Sequence, residues 1–298
     1  MPTSYRGRFA PSPTGPLHFG SLLAALASYL DAKAHQGHWL VRIEDLDPPR
    51  EIAGASDAIL RTLEAFGLHW DERPLYQSQR LARYQQVLEQ LQQQGLVYPC
   101  QCSRSQLQHR QAHPCYDGFC RRHPPSTTSQ PWAYRLWVSD AYYSIEDRIQ
   151  GHYGQSLRQE VGDFVIKRKE GFFAYQLAVV VDDFDQGISH IVRGSDLLDS
   201  TPRQCYLQQL LMAPQPSYAH IPVITNAQGQ KLSKQTFAPA LNPQQVSTLT
   251  AQALAMLSHP LPPALESAPV AEQLAYAQTH WRTERLPARL SFATPYGV

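Results

Sequence analysis

The chain has 298 residues, enough for about two domains with a large buried core, which excludes a peptide or a lone motif. Lys and Arg total 26 against 25 Asp and Glu, a formal charge of +1, so no global basic field marks a nucleic-acid binder and any such contact must come from local patches. Apolar residues at 43% and charged residues at 17% describe a globular chain, no apolar run is long enough to span a bilayer, and Met1 to Arg8 lacks a signal-peptide core, so a cytoplasmic enzyme is expected.

In chain order, Tyr5 to Phe9 reads as a short strand, and Pro11, Pro13, Gly15 and Pro16 force a loop directly after it. From Phe19 to Ala34 the apolar positions Leu22, Leu23, Leu26, Tyr29 and Leu30 leave almost no polar face, which predicts a helix buried on most sides. His38 to Ile43 is a second strand. Together these form a βαβ unit, which requires a parallel sheet and binds ligands at the carboxyl ends of its strands. Arg8 and Glu44 stand at those ends and should face one crevice; the alternative is that they pair with each other at the sheet edge. Helical periodicity over Asp57 to Phe66 and Ser78 to Gln94 supplies cover for the sheet.

Leu96 to about Glu160 breaks this pattern and reads as an insertion with short β-like pieces and a Ser/Thr/Pro run from Pro124 to Pro131. Four of the five Cys fall in it: Cys100, Cys102, Cys115 and Cys120. In a reducing compartment such clustering suggests metal ligation before disulfides, and a segment so poor in apolar residues needs a staple. Zinc takes four ligands and favours thiolates, so four Cys would suffice on chemistry alone; His113 and His123 are less suited. Arg121-Arg122 and Lys167-Arg168-Lys169 are candidate phosphate-backbone contacts or solvated surface. Cys205 reads as a small buried hydrophobe.

The α/β pattern resumes at Asp163 to Lys167, with a helix over Phe173 to Val181, a strand over Ile188 to Val192, a helix capped by Ser200 or Thr201, and a last strand over Ile221 to Thr225. Two tail helices follow, one capped by Asn242 with Pro243 first and Gln245 third, the other from about Pro269 to Trp281. The expected divisions are 1–95 and 161–235 as the two halves of one catalytic domain, 96–160 as the insertion and 236–298 as a short helical tail.

Two segments carry phosphate chemistry. Pro11-Ser12-Pro13-Thr14-Gly15-Pro16-Leu17-His18-Phe19-Gly20-Ser21 joins the first strand to its helix, where backbone N–H groups attract phosphate and an imidazole can donate to a phosphoryl oxygen. Lys231-Leu232-Ser233-Lys234-Gln235, after the turn at Gln228-Gly229, brackets a hydroxyl with two cations able to neutralise a triphosphate. Read singly, either segment is an ordinary loop. As a pair they resemble the two signatures of class I aminoacyl-tRNA synthetases, and Glu44-Asp45-Leu46-Asp47 narrows the resemblance to the glutamyl group. The match runs from about Arg6 to Lys234 and includes Arg42-Ile43-Glu44-Asp45, Phe173-Ala174-Tyr175 and Ile191-Val192-Arg193-Gly194. Ser21 replaces the second His of the first signature and Gln235 the final Ser of the second, while His18, Gly20 and both Lys remain.

The resemblance implies a Rossmann-like α/β catalytic domain with a zinc-binding insertion and a short helical tail. It implies that Arg8, Phe9, Ala10, Pro11, Ser12, Glu44, Tyr175 and Arg193 bind glutamate. It implies that His18, Gly20, Ser21, Lys231, Ser233 and Lys234 bind ATP with Mg2+, His18, Lys231 and Lys234 being catalytic. The chemistry agrees: a dicarboxylic amino acid needs an anion for its ammonium and cations, here Arg8 and Arg193, able to form forked pairs with a carboxylate. The family's zinc set corresponds to Cys100, Cys102, Tyr116 and Cys120, with Cys115 a rival for the third place. The tail is too short for an anticodon-binding region, which matches short paralogues of glutamyl-tRNA synthetase. In that branch a monomer activates glutamate without tRNA and esterifies it to queuosine of tRNA(Asp). The competing readings are a truncated synthetase charging a tRNA 3′ end, and an inactive paralogue that binds nucleotide or tRNA.

Overall fold

A computed structural model describes residues 4–112, 115–125, 131–226 and 239–293. β1 (Arg6–Phe9) and β2 (His38–Ile43) pair in parallel with Arg8 beside Leu40, and α1 (Phe19–Ala34) crosses between them, as the sequence pattern requires. α2 (Ala55–Ala65) leads to the short β3 (Leu75–Tyr76), which extends the sheet beside β2. A 3-10 turn over Gln77–Arg80 opens into α3 (Leu81–Gln93).

The inserted region comprises β4 (Val97–Cys100), the short helices α4 (Arg104–His109) and α5 (Phe119–Arg122), β5 (Ala133–Leu136), a hairpin of β6 (Tyr142–Asp147) and β7 (Gly151–Ser156), and α6 (Leu157–Glu160). The next strand, β8 (Phe164–Lys167), corrects an expectation: instead of resuming the parallel sheet, it pairs antiparallel with β5, which also pairs with β4. A short apolar run specifies a strand but not its partner. This three-stranded sheet is also better supplied with apolar residues than its sequence suggests. Leu136, Val138, Phe164 and Ile166 share a core with Tyr84, Val87, Leu88 and Leu91 of α3 and with Leu177 to Val181 of α7 (Tyr175–Asp185). Among the described residues the Cys-bearing lobe has a small core of its own, Cys100, Tyr116 and Cys120.

β9 (His190–Gly194) lies against the other side of β1, where Ser189 N donates to Arg6 O at 3.0 Å. The helix after it, α8 (Thr201–Leu210), is not capped by a side chain as expected: a 3-10 turn over Ser195–Ser200 runs straight into it, so Ser200 is already helical. β10 (Ser217–Ile221) pairs in parallel with β9, setting His220 beside Arg193. The single strand expected over Ile221 to Thr225 is divided at Pro222, which has no N–H for a ladder; β11 (Val223–Thr225) pairs with β12 (Ser291–Ala293).

Asn242 caps as expected, accepting from Gln244 N at 2.9 Å, but the residues after it wind as a 3-10 turn, so α9 (Val246–Met256) starts later. α9 and α10 (Val270–His280) bury α1: Ala253, Leu254, Leu257, Leu274, Ala277 and Trp281 share one core with Leu22, Leu23, Leu26 and Leu30. Asp31 of α1 is buried there and accepts from Tyr5, Arg148, Trp281 Nε1 at 3.2 Å and Thr283 Oγ1 at 2.7 Å. Among the described residues no helix is long and apolar enough to cross a membrane.

Candidate functional site

The carboxyl ends of β1, β2 and β9, with the N-terminal turns of α1 and α7, enclose a cavity of about 380 Å³. Arg8, Phe9, Ala10, Pro11, Ser12, His18, Gly20, Ser21, Glu44, Tyr175 and Arg193 all line it, so the residues singled out in four distant segments meet at one place. Lys231, Ser233 and Lys234 lie outside the described residues, as do Gln228, Gly229, Gln235 and His113.

The loop after β1 is held from both sides. Glu44 N donates to Pro11 O and Ile52 N to Pro13 O, each at 3.0 Å, and Gly15 turns the chain at φ 141°, which L side chains rarely adopt. His18 is the N-cap of α1: its backbone is extended and its Nδ1 accepts from Ser21 N at 3.3 Å. The accepting Nδ1 places the ring proton on Nε2, making that nitrogen a donor. A Cβ on Gly20 would stand 3.1 Å from His18 Cε1, so glycine there gives the imidazole room over the helix start. Ala240 bridges to His18 and Leu241 N donates to Leu17 O at 2.9 Å, which ties the start of the tail to this loop.

Arg8 and Glu44 do not pair with each other. Arg8 Nε and Nη2 face the two oxygens of Asp183, at 3.0 and 3.4 Å, and Arg42 Nη2 reaches the same carboxylate at 2.8 Å. Arg42 is fully buried, with Nη1 on Gln186 Oε1 at 2.8 Å and Nε 3.8 Å from Glu44 Oε1, too far for a hydrogen bond. Glu44 Oε1 therefore has no hydrogen-bond partner. Burial pushes the Glu44 carboxyl up to about 7, against the pull of Arg42 and Arg8 and with the help of Asp183 and Asp182. Asp183 stays low: burial opposes ionisation, and the two guanidiniums overcome it.

Arg193 is held as tightly. Its Nε donates to His220 Nε2 at 3.0 Å and its Nη2 to Thr201 Oγ1 at 2.8 Å, leaving Nη1 turned to Tyr175 Oη at 3.4 Å on the cavity wall. The side edges of both guanidiniums thus face protein groups, Asp183 for Arg8 and His220 with Thr201 for Arg193. His220 Nδ1 lies 2.6 Å from Asp147 Oδ2. The sequence reading gave Asp147, Asp182, Asp183 and His220 no role and Arg42 none beyond its motif. One signal was present for two of them: Asp182-Asp183 interrupts the apolar run Val179-Val180-Val181 inside a helix.

A second cluster lies in the inserted lobe. The sulfurs of Cys100, Cys102 and Cys120 are within 4.8 Å of one another and could hold a metal ion. Tyr116 Oη lies 3.6 Å from Cys100 Sγ and 3.5 Å from Cys102 Sγ. The Cys115 thiol instead donates to Arg158 O at 3.3 Å, away from the group. Arg135 Nε and Arg110 Nη2 each point at a thiol, at 3.3 Å, which suits sulfurs that carry negative charge. Three thiols supply three of the four positions of a structural zinc site, and the Tyr116 phenol oxygen is the group nearest to them for a fourth. The basic runs are partly engaged within the chain: Arg121 pairs with Asp163, Arg168 with Asp47, and Lys167 with Gln85.

Comparison with known proteins agrees with this architecture. The family described as tRNA synthetases class I (E and Q), catalytic domain, matches residues 4–259. A protein of Thiobacillus denitrificans named glutamyl-Q tRNA(Asp) synthetase is 54% identical, with 99% of each chain covered. One of the same name from Neisseria meningitidis is 53% identical over 95% of this chain and 97% of its own. Among solved structures, a glutamate tRNA ligase from Elizabethkingia meningosepticum in complex with its amino acid superposes with a TM-score of 0.78 at 24% identity, covering 96% of this chain and 66% of that one. That likeness shows a shared fold.

Proposed function

The chain belongs to the class I tRNA synthetases of the glutamyl and glutaminyl group, and from this premise we propose that it activates glutamate with ATP and transfers the glutamyl group to queuosine in the anticodon loop of tRNA(Asp), in keeping with the name these relatives carry. The observation that carries the proposal is the cavity itself, where an orphaned acidic oxygen of Glu44 stands among fixed guanidiniums beside a helix start suited to phosphate. Such a site answers an ammonium and two carboxylates at once. Glu44 takes the α-ammonium, Arg8, Tyr175 and Arg193 take carboxylate oxygens, and the backbone from Phe9 to Ser12 forms the wall.

Glutamate's α-carboxylate oxygen attacks the α-phosphorus of ATP, and the bond to pyrophosphate breaks. His18 Nε2–H, Lys231 and Lys234 receive the charge that grows on the phosphate oxygens, while Ser21, Gly20 and Ser233 cradle the nucleotide. ATP arrives with Mg2+, which supplies further neutralisation of the phosphates. A queuosine hydroxyl oxygen then attacks the adenylate carbonyl, the bond from that carbon to the phosphate oxygen breaks, and the hydroxyl proton passes to the departing AMP phosphate. Cys100, Cys102, Tyr116 and Cys120 hold one Zn2+ with a structural role, since a filled four-ligand set leaves no open position for catalysis.

Pyrophosphate exchange without tRNA tests the activation step. Glutamate-dependent exchange is expected in the wild type, and Lys234→Ala should lower its rate by about a hundredfold or more with little change in glutamate affinity. Unchanged exchange in that variant would remove the second phosphate segment from the mechanism.

A further inference from the structure

Arg193 is the cation nearest the Tyr175 end of the cavity, and what holds it comes from two elements outside the predicted motifs. His220 lies on β10, which the parallel register sets beside Arg193 of β9. Asp147 ends β6, the first strand of the inserted hairpin. All three side chains are buried: Arg193 is 5% exposed, Asp147 5% and His220 0%.

The chemistry of the partners leaves one proton arrangement. An ionised carboxylate only accepts, so His220 Nδ1, 2.6 Å from Asp147 Oδ2, carries the ring proton. A guanidinium only donates, so His220 Nε2, 3.0 Å from Arg193 Nε, is the bare nitrogen. The ring is neutral in this arrangement, and its pKa is in keeping: burial pushes it down, Asp147 opposes, and Arg193 adds to the fall. Asp147 is itself fixed, since Oδ1 accepts backbone N–H groups of Ile149 at 3.0 Å, Gln150 at 2.9 Å and His220 at 3.1 Å. Thr201 Oγ1 completes the clamp by accepting from Arg193 Nη2 while donating to Leu197 O.

We propose that Asp147 and His220 are positioning residues for the amino-acid site, a buried carboxylate–imidazole pair that selects one histidine tautomer and thereby orients the Arg193 guanidinium with Nη1 toward Tyr175 and the substrate carboxylate. The proposal rests on the reading of Arg193 as part of the glutamate pocket. It also gives the inserted hairpin a part in amino-acid binding, because the carboxylate that sets the tautomer comes from that hairpin.

Asp147→Asn tests it with little change of shape. The three backbone N–H groups keep the amide oxygen at the Oδ1 position, so the NH2 must face His220 Nδ1. The ring then has to accept at Nδ1 and carry its proton on Nε2, where it opposes the Arg193 Nε–H or turns to Thr201. The imidazole 15N resonances of His220 should report that exchange of tautomers. The glutamate KM in pyrophosphate exchange should rise about tenfold or more, and the ATP KM should stay within about twofold. His220→Gln, whose amide retains an acceptor for Arg193, should stay closer to wild type in glutamate KM than His220→Leu. Arg193→Leu is measured in parallel. If it leaves the glutamate KM unchanged, Arg193 is not in the amino-acid site and both readings fall. If it raises KM while Asp147→Asn does not, or if Asp147→Asn raises both KM values alike, the positioning role alone is overturned.

Discussion

Glu44 is the residue whose surroundings decide most about the site. Its carboxyl is buried beside Arg42 without a hydrogen bond to it, and beside Asp183, so burial holds it up to about 7. The sign follows from the raised value: below about 7 the folded chain keeps the proton, above it the carboxylate is ionised, and only the ionised form attracts an ammonium. Glutamate affinity should therefore fall up to about tenfold per pH unit below about 7 and level off above it. Binding measured by calorimetry from pH 5.5 to 8.5 checks this, and Glu44→Gln should bind weakly with a flat profile. A wild-type profile that is flat across that window would contradict the assignment. Glu44 and Arg8 were legible in the sequence because strand ends in a βαβ unit face a ligand crevice. The partner of Arg8 was not, since Asp183 is 175 positions away and only the folded sheet brings α7 beside it.

At the scale of elements, the βαβ unit was read correctly to the residue over α1 and β2, because a helix without a polar face and a strand with an apolar run leave few alternatives. The inserted region was read less well. Strand β8 was recognised but assigned to the wrong sheet, and β12 was passed over because Ser291–Ala293 has no apolar run of its own and exists by pairing with β11. The Cys lobe is attached by a device that the sequence does not announce: Gly162 at φ +71° pairs with Tyr116, and a Cβ there would lie 2.5 Å from its backbone. We expect elemental analysis of protein purified without chelator to find one zinc per chain. Cys115→Ser should retain it, since that thiol faces Arg158 O, whereas Cys102→Ser should lose it. Zinc-free protein, or loss through Cys115→Ser, would contradict the ligand set.

Across the whole molecule, the tail helices and the inserted hairpin are both tied to α1, the helix whose start carries His18. Asp31 makes the tie, gathering Tyr5, Arg148 of the hairpin turn, and Trp281 and Thr283 of the tail onto one buried carboxylate. Asp31→Ala would strand Arg148 and three further donors, so a loss of about 3–5 kcal/mol is expected in chemical denaturation. A change under about 1 kcal/mol would show that these segments fold independently of one another. The sequence offered no hint of this convergence, because the groups that meet at Asp31 are spread from Tyr5 to Thr283. The acceptor of the glutamyl group is decided by position rather than by chemistry. Queuosine carries ring hydroxyls chemically similar to those of the terminal ribose, so one adenylate can acylate either and only positioning separates them. The direct measurement is the transfer of labelled glutamate to purified tRNAs, followed by mapping of the labelled nucleotide. Label is expected at the anticodon of queuosine-containing tRNA(Asp) and none on tRNA(Asp) lacking queuosine; efficient charging of the 3′ end of unmodified tRNA(Glu) would instead make the enzyme a conventional glutamyl-tRNA synthetase.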